Sequence, residues 1–169
     1  MTSISSTPRA YPYSTMDPVK VTAKADYAVR AMLELASVED GLIKGERIAH
    51  AQGIPLKFLE NILTDLRHAG LVHAQRGAEG GYRLTRNPSQ VTLGEVIRAV
   101  EGPLASVRGE PPEAVAYDGA AEHLQTVWIA VRASLRSVLD DVTLDDVAAG
   151  RLPARVRRLT EAPDAWLRR

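Results

Sequence analysis

The stretch IPLKFLENILTDLRHAGLVHAQRGAEGGYRLTR, Ile54 to Arg86, gathers the side chains best suited to chemistry. At helical spacing Lys57, Asn61 and Thr64 share one side, with Glu60 flanking them, while Leu59, Ile62, Leu63 and Leu66 form an apolar stripe opposite. Beyond Gly70 come Arg76 and Arg83, with Gly77, Gly80 and Gly81 between them. A helix fits the major groove of B-DNA and can present its N-terminal residues to base edges. The N–H groups at the same end favour a nearby phosphate. A basic, glycine-bearing loop beside it can follow the DNA backbone or enter the minor groove, where arginine is attracted. This is the chemistry of recognition. No nucleophile motif, phosphate-cradling loop or paired acid/base carboxylates stand out, so no enzyme is expected. The pattern alone also suits a helix packed in an α+β core with a hairpin that merely joins elements.

Elements must hold these side chains in place. Thr22 is positioned to cap a first helix whose apolar residues Ala25, Val29, Met32, Leu33 and Ala36 recur at helical spacing. GERIAHAQGIP predicts a short helix ending near Gln52, with Gly53 making the turn and Pro55 opening the next helix. Gly70 stops that helix, and LVHAQ and YRLTR alternate as two strands joined by RGAEGG. Thr92, with Glu95 three residues on, predicts a capping box at the start of TLGEVIRAVEG. Two short helices on a glycine turn, backed by another helix and followed by a hairpin, make a winged helix-turn-helix.

Three prolines and two glycines in PLASVRGEPPEAVAYDG exclude a regular element there. Then Leu124, Trp128, Val131, Leu135, Val138 and Val142 follow at spacings of 4, 3, 4, 3 and 4, a heptad seam suited to dimerisation or to covering the winged helix within one subunit, of which dimerisation is the expected role. The expected fold class is mainly α with a small β-hairpin wing, the winged helix-turn-helix being followed by a long C-terminal dimerisation helix. The expected organisation is a disordered leader over 1–18 and a winged-helix DNA-binding domain over 19–101. A linker or effector-loop region at 102–120, a dimerisation helix region at 121–150 and a basic tail at 151–169 complete it.

The chain of 169 residues contains no cysteine, which excludes disulfides, thiolate zinc sites and cysteine-held iron–sulfur clusters. No apolar run approaches the ~18 residues of a membrane span, and a cytoplasmic protein is expected. The net charge is zero but unevenly spread. Residues 19–90 hold 10 Lys/Arg against 8 Asp/Glu, residues 91–150 hold 4 against 10, and residues 151–169 hold 6 against 2. A polyanion would therefore meet the first part.

VKVTAKADYAVRAMLELA, ERIAHAQGIPLKFLENILTDLRHAGLV and RGAEGGYRLTRNPSQVTLGEVIRAVEG, followed by the Trp128 helix, resemble the Rrf2 family of bacterial winged-helix transcription regulators. The resemblance runs from about Val19 to Ala149 and keeps its order. It implies a homodimer on an imperfect palindrome in a promoter, with the long C-terminal helices crossing between subunits. It also implies DNA contacts from Pro55, Leu56, Lys57, Phe58, Glu60 and Asn61, and from Arg76, Gly77, Gly80, Gly81, Tyr82 and Arg83. Lys20, Thr22 and Lys24 would reach phosphates from the first helix. Glu79 departs from the small residues usual at the wing tip.

Many such regulators hold a cluster with three cysteines in the loop before the Trp-bearing helix. The corresponding residues 102–122 contain none, and Glu122 and Gln125 stand where relatives have Cys and His. Asp26 matches an acidic ligand position, but Arg30 follows one turn on, which suits a helical ion pair instead. His50, His68, His73 and His123 are scattered and are read as surface or cap residues, so no metal and no cofactor are expected. The expected function is a sequence-specific DNA-binding transcriptional regulator, homodimeric on a palindromic promoter site and without a cluster. The alternative is a winged-helix interaction module that has lost DNA binding. A small-molecule or protein effector is left open.

Overall fold

The computed structural model describes residues 21–167; the expected leader and Lys20 lie outside the described residues. Helix α1 (Ala23–Ala36) opens where Thr22 accepts a hydrogen bond from the Ala25 N–H at 3.0 Å. Its buried face is Ala25, Ala28, Ala31, Met32 and Leu35. The expected stripe is thus shifted: Val29, Leu33 and Ala36 are only half-buried against the core, because the three small alanines let neighbouring helices approach along their side.

Helix α2 (Gly45–Gln52) ends at Gly53, whose φ of 61° is the left-handed conformation that the turn requires. Pro55 then stands immediately before α3 (Leu56–His68). The α3 stripe of Leu59, Ile62, Leu63 and Leu66 is wholly buried, each side chain contributing on the order of 1.5–3 kcal/mol. Strands β1 (Val72–Gln75) and β2 (Gly81–Leu84) form the antiparallel wing, with Val72 opposite Leu84 and Gln75 opposite Gly81. A third short partner is added by Ile43, which donates to the Tyr82 carbonyl at 2.9 Å and accepts from the Tyr82 N–H at 2.8 Å. The wing is thereby stitched to the helical body.

Helix α4 (Leu93–Glu101) carries the expected capping box of Thr92 and Glu95. Burial opposes the Glu95 charge, yet the Thr92 backbone N–H and the Arg86 guanidinium hold its carboxyl below the usual range. The following linker contains an isolated bridge between Val107 and Glu110 and single 3-10 turns at Pro112–Ala114 and Gly119–Ala121. Next comes α5 (Leu124–Leu139), of which no residue is fully buried.

After α5 the chain returns to the body. The Leu93 N–H donates to the Val142 carbonyl at 2.9 Å, and the Leu144 N–H donates to the Val91 carbonyl at 3.0 Å. Leu144 opens α6 (Leu144–Ala148) and lies in the same core as α1, α3 and α4. Gly94 allows the close approach of α4 and the end of α5, since a Cβ there would run into the Asp140 carboxylate. A last helix, α7 (Ala154–Thr160), buries no residue. Among the described residues no helix is long and apolar enough to cross a membrane.

Candidate nucleic-acid interface

Three chain segments converge around Gly45. A Cβ at that position would lie 3.5 Å from the Tyr82 ring and 3.9 Å from Leu56, so the starts of α2 and α3 meet strand β2 there. The exposed side of α3 continues from this junction. Lys57 is 91% exposed, with Glu60 3.8 Å from its ammonium. Asn61 and Thr64 are exposed beside them. Asn61 makes no side-chain hydrogen bond among the described residues, which leaves its amide open on both edges.

Helices α1, α4 and α6 all begin with a threonine hydroxyl accepting from a backbone N–H; α3 begins with Pro55 and has no side-chain cap. The Pro55 carbonyl is taken by the N–H groups of Phe58 and Leu59, while those of Leu56 and Lys57 point past the helix start. No acidic residue occupies that first turn. That end therefore presents free N–H groups beside Lys57, a setting that favours an anion.

In the wing, Arg76 and Arg83 are exposed and take part in no ion pair among the described residues. Gly77 has a φ of 106°, and the Gly80 N–H returns to its carbonyl at 2.9 Å. Gly80 and Gly81 shape the wing rather than present atoms outward. A Cβ on Gly80 would strike the Gln75 carbonyl, and one on Gly81 would lie 2.7 Å from the Ile43 carbonyl oxygen. Tyr82 is half-buried and pairs with Ile43, so its ring supports the junction.

Two residues expected to reach phosphates are occupied within the subunit. The Lys24 ammonium donates to the Val100 carbonyl at 2.7 Å and pairs with Asp65 at 2.9 Å, tying α1 to α4 and α3. Thr22 caps α1, and its hydroxyl donates to Glu101. Lys44 and Arg47, outside the expected set, are both exposed at the start of α2 beside the junction. Their position in the first helix of the helix-turn-helix was the available signal, since that helix crosses the DNA backbone in this motif. The Asp26–Arg30 pair is present at 3.1 Å, and Arg30 also donates to the side chain and carbonyl of Gln52, fastening α1 to the helix-turn-helix turn.

The proposed seam on α5 needs one correction. Val142 is only 3% exposed and packs within its own subunit, because the helix ends at Leu139 and the chain turns back to pair with α4's start. Leu124, Trp128, Val131, Leu135 and Val138 remain half-buried, and Val127 is 50% exposed. The linker covers part of the helix: Gln125 donates to the carbonyls of Glu113 and Val115, and the Trp128 indole N–H donates to the Tyr117 hydroxyl at 3.0 Å.

A pair of helices on a glycine turn followed by a basic hairpin is the arrangement of a winged helix-turn-helix. A family model described as Rrf2, iron-dependent transcriptional regulator, matches residues 21–150. The chain belongs to the Rrf2 family. Among its relatives, a protein of Mycobacterium tuberculosis named as an HTH-type transcriptional regulator is 47% identical over 144 residues, spanning 85% of this chain and 89% of that one. The solved structure of CymR, the global cysteine regulator of B. subtilis, superposes with a TM-score of 0.66 at 35% identity, covering 78% of this chain and 97% of CymR. The T. potens IscR structure gives 0.61 at 33% identity, covering 89% and 93%. The Rrf2 relatives are transcriptional regulators rather than enzymes, and DNA-binding regulation of transcription is the activity of this chain's family.

The family description names iron, and the donor set here does not suit it. Cluster iron takes thiolates, of which the chain has none. Among the described residues no three His, Asp or Glu side chains group as metal ligands, and Asp26 is engaged by Arg30.

Proposed function

We propose that this Rrf2 protein is a homodimeric regulator that sets two copies of α3 into successive major grooves of a palindromic promoter site, and that it does so without an iron–sulfur cluster. Lys57, Glu60 and Asn61 face base edges, the uncapped start of α3 and the α2 residues Lys44 and Arg47 meet phosphates, and Arg76 and Arg83 reach the flanking groove from the wing. Pro55, Leu56, Phe58, Gly77, Gly80, Gly81 and Tyr82 shape this surface. Residues 21–101, with Leu144 returning to their core, act as the reading body, and the apolar face of α5 pairs the subunits through Leu124, Trp128, Val131, Leu135 and Val138.

The observation that carries this reading is a contrast between two parts of the subunit: a recognition edge on which, among the described residues, Asn61 makes no hydrogen bond and two wing arginines make no ion pair, and a separate 16-residue amphipathic helix, α5, with nothing fully buried. One winged helix contacts too few base pairs for useful specificity, and a second half-site roughly doubles them.

Sedimentation and duplex-binding titrations test both parts. The expected outcome is a dimer that shifts promoter DNA, with affinity falling steeply as salt rises. A monomer at micromolar concentration, or binding indifferent to salt, overturns the reading. The purified protein should be colourless; a visible charge-transfer band surviving chelation contradicts the cluster-free assignment.

A further inference from the structure

The start of α3 holds an apolar feature that phosphate contacts leave unused. Phe58, the chain's one phenylalanine, is 42% exposed, and Leu56 is exposed nearby. The ring is held in that position. Its edge meets the Tyr27 ring at 87°, with centroids 5.8 Å apart. Tyr27 in turn lies under the Arg30 guanidinium at 5.5 Å, and Arg30 is fixed by Asp26 and Gln52. Tyr27 thus backs Phe58 from within the subunit. Ala23, Tyr27, Pro55, Phe58 and Lys57 line a shallow hollow of about 400 Å³, with Asn61 also in its wall.

A charged duplex offers few groups that an apolar hollow can accept. Phosphates and most base edges are polar; in the major groove the exception is the C5 methyl group of thymine. Because the buttress of Arg30, Tyr27 and Phe58 is formed in the free subunit, the hollow needs no rearrangement to receive it.

We propose that Phe58, backed by Tyr27, is a receptor for the methyl group of one thymine in each half-site, a role that rests on the reading of α3 as the groove-entering helix. The free Asn61 amide in the same wall is then placed to pair with an adenine edge next to that thymine. Phe58 thus sets base preference by shape, alongside the hydrogen-bonding set of Lys57, Glu60 and Asn61.

The test begins with selection of a binding site from a random duplex library by the full chain. Each thymine of the selected site is then replaced singly by uracil, which keeps pairing with adenine and lacks only the methyl. At one thymine per half-site the affinity should fall about threefold to tenfold, the scale of one buried methyl group. Phe58→Ala should bind the thymine duplex as weakly as the unsubstituted protein binds the uracil duplex, and should be indifferent to the replacement. Should Phe58→Ala lose its fold by circular dichroism, Phe58→Leu replaces it, and the uracil penalty should shrink. No sensitive thymine, or a penalty of equal size in the Phe58 variant, overturns the assignment while leaving DNA binding intact. Failure to select any site removes the reading of α3 itself and the methyl receptor with it.

Discussion

Helix α3 has 13 residues and buries four of them completely; helix α5 has 16 and buries none. Both carry an apolar stripe at helical spacing, so periodicity does not distinguish them. What differs is the surroundings. The α3 stripe meets α1, α2 and α4 within one subunit, whereas α5 meets its own linker and, through Arg98 and Asp140 at 2.8 Å, the edge of α4. The first stripe stabilises a fold; the second, in the proposed dimer, would meet its counterpart on another subunit. Water-facing valine and isoleucine on α5 are costly for a subunit alone, a cost that pairing of two such helices in the proposed dimer would relieve.

The sharpest way to break this contrast is to cut into each stripe. Leu66→Ala should lower the free energy of unfolding by about 2–5 kcal/mol in urea titrations, because the buried site cannot fully collapse. A loss below about 1 kcal/mol would show that the α3 stripe is not the core. Leu135→Asp should weaken self-association by about a hundredfold or more in sedimentation experiments, since each subunit would bury a carboxylate. The secondary structure of the separated subunit should be retained. An unchanged dimer would place the contact elsewhere.

Much of the first stripe could be read from local spacing. Leu59, Ile62, Leu63 and Leu66 needed only a 3.6-residue period, and the capping box at Thr92 and Glu95 needed only two residue types at a fixed separation. The Thr22 cap and the Asp26–Arg30 pair were legible for the same reason. Val142 misled because its position extends the heptad arithmetic past the end of the helix, and nothing local announces where the chain turns back. The pairing of Ile43 with Tyr82 and the contact of Tyr27 with Phe58 join residues more than thirty positions apart. Lys24 looked like a free cation because Asp65 and the Val100 carbonyl are equally remote in sequence. Local chemistry showed which residues could recognise DNA, while the fold decided which of them were left unoccupied.

Smaller effects sharpen the reading of the interface. Lys57→Ala or Arg76→Ala should weaken duplex binding by about 1–3 kcal/mol where a base is contacted, relaxing preference at one position. A phosphate contact would instead weaken all sequences alike and lower the salt slope by about one. Unchanged affinity in both variants would withdraw these residues from the reading surface. By the same competition, Lys24→Ala should disturb unfolding more than DNA affinity, because its ammonium is engaged internally.

The smallest effect concerns pH. Glu95 and Asp146 both have carboxyl groups held below their ordinary values; burial opposes the shift at Glu95, and the N–H groups of Thr92 and Thr143 drive it at the two sites. Their ionised forms therefore favour the folded chain at neutral pH, and that contribution disappears as pH falls through the lowered folded values. Urea midpoints measured from about pH 6 down to about pH 3 should drop less for Glu95→Gln than for the unsubstituted protein. Parallel curves would mean that the α4 cap adds nothing through its charge.

Val91 and Leu93 clasp Leu144 and Val142, so the long excursion through α5 leaves the body at the end of α4 and rejoins it beside that helix's start. An arm fastened at both ends has lost its swivel. In the proposed dimer, two reading heads joined through such arms would keep a set separation and phase, while each extra base pair between half-sites turns one head by roughly a tenth of a revolution about the duplex. Such a dimer should tolerate altered operator spacing poorly, and the clasp beside α4, rather than the coupling face, would impose the limit.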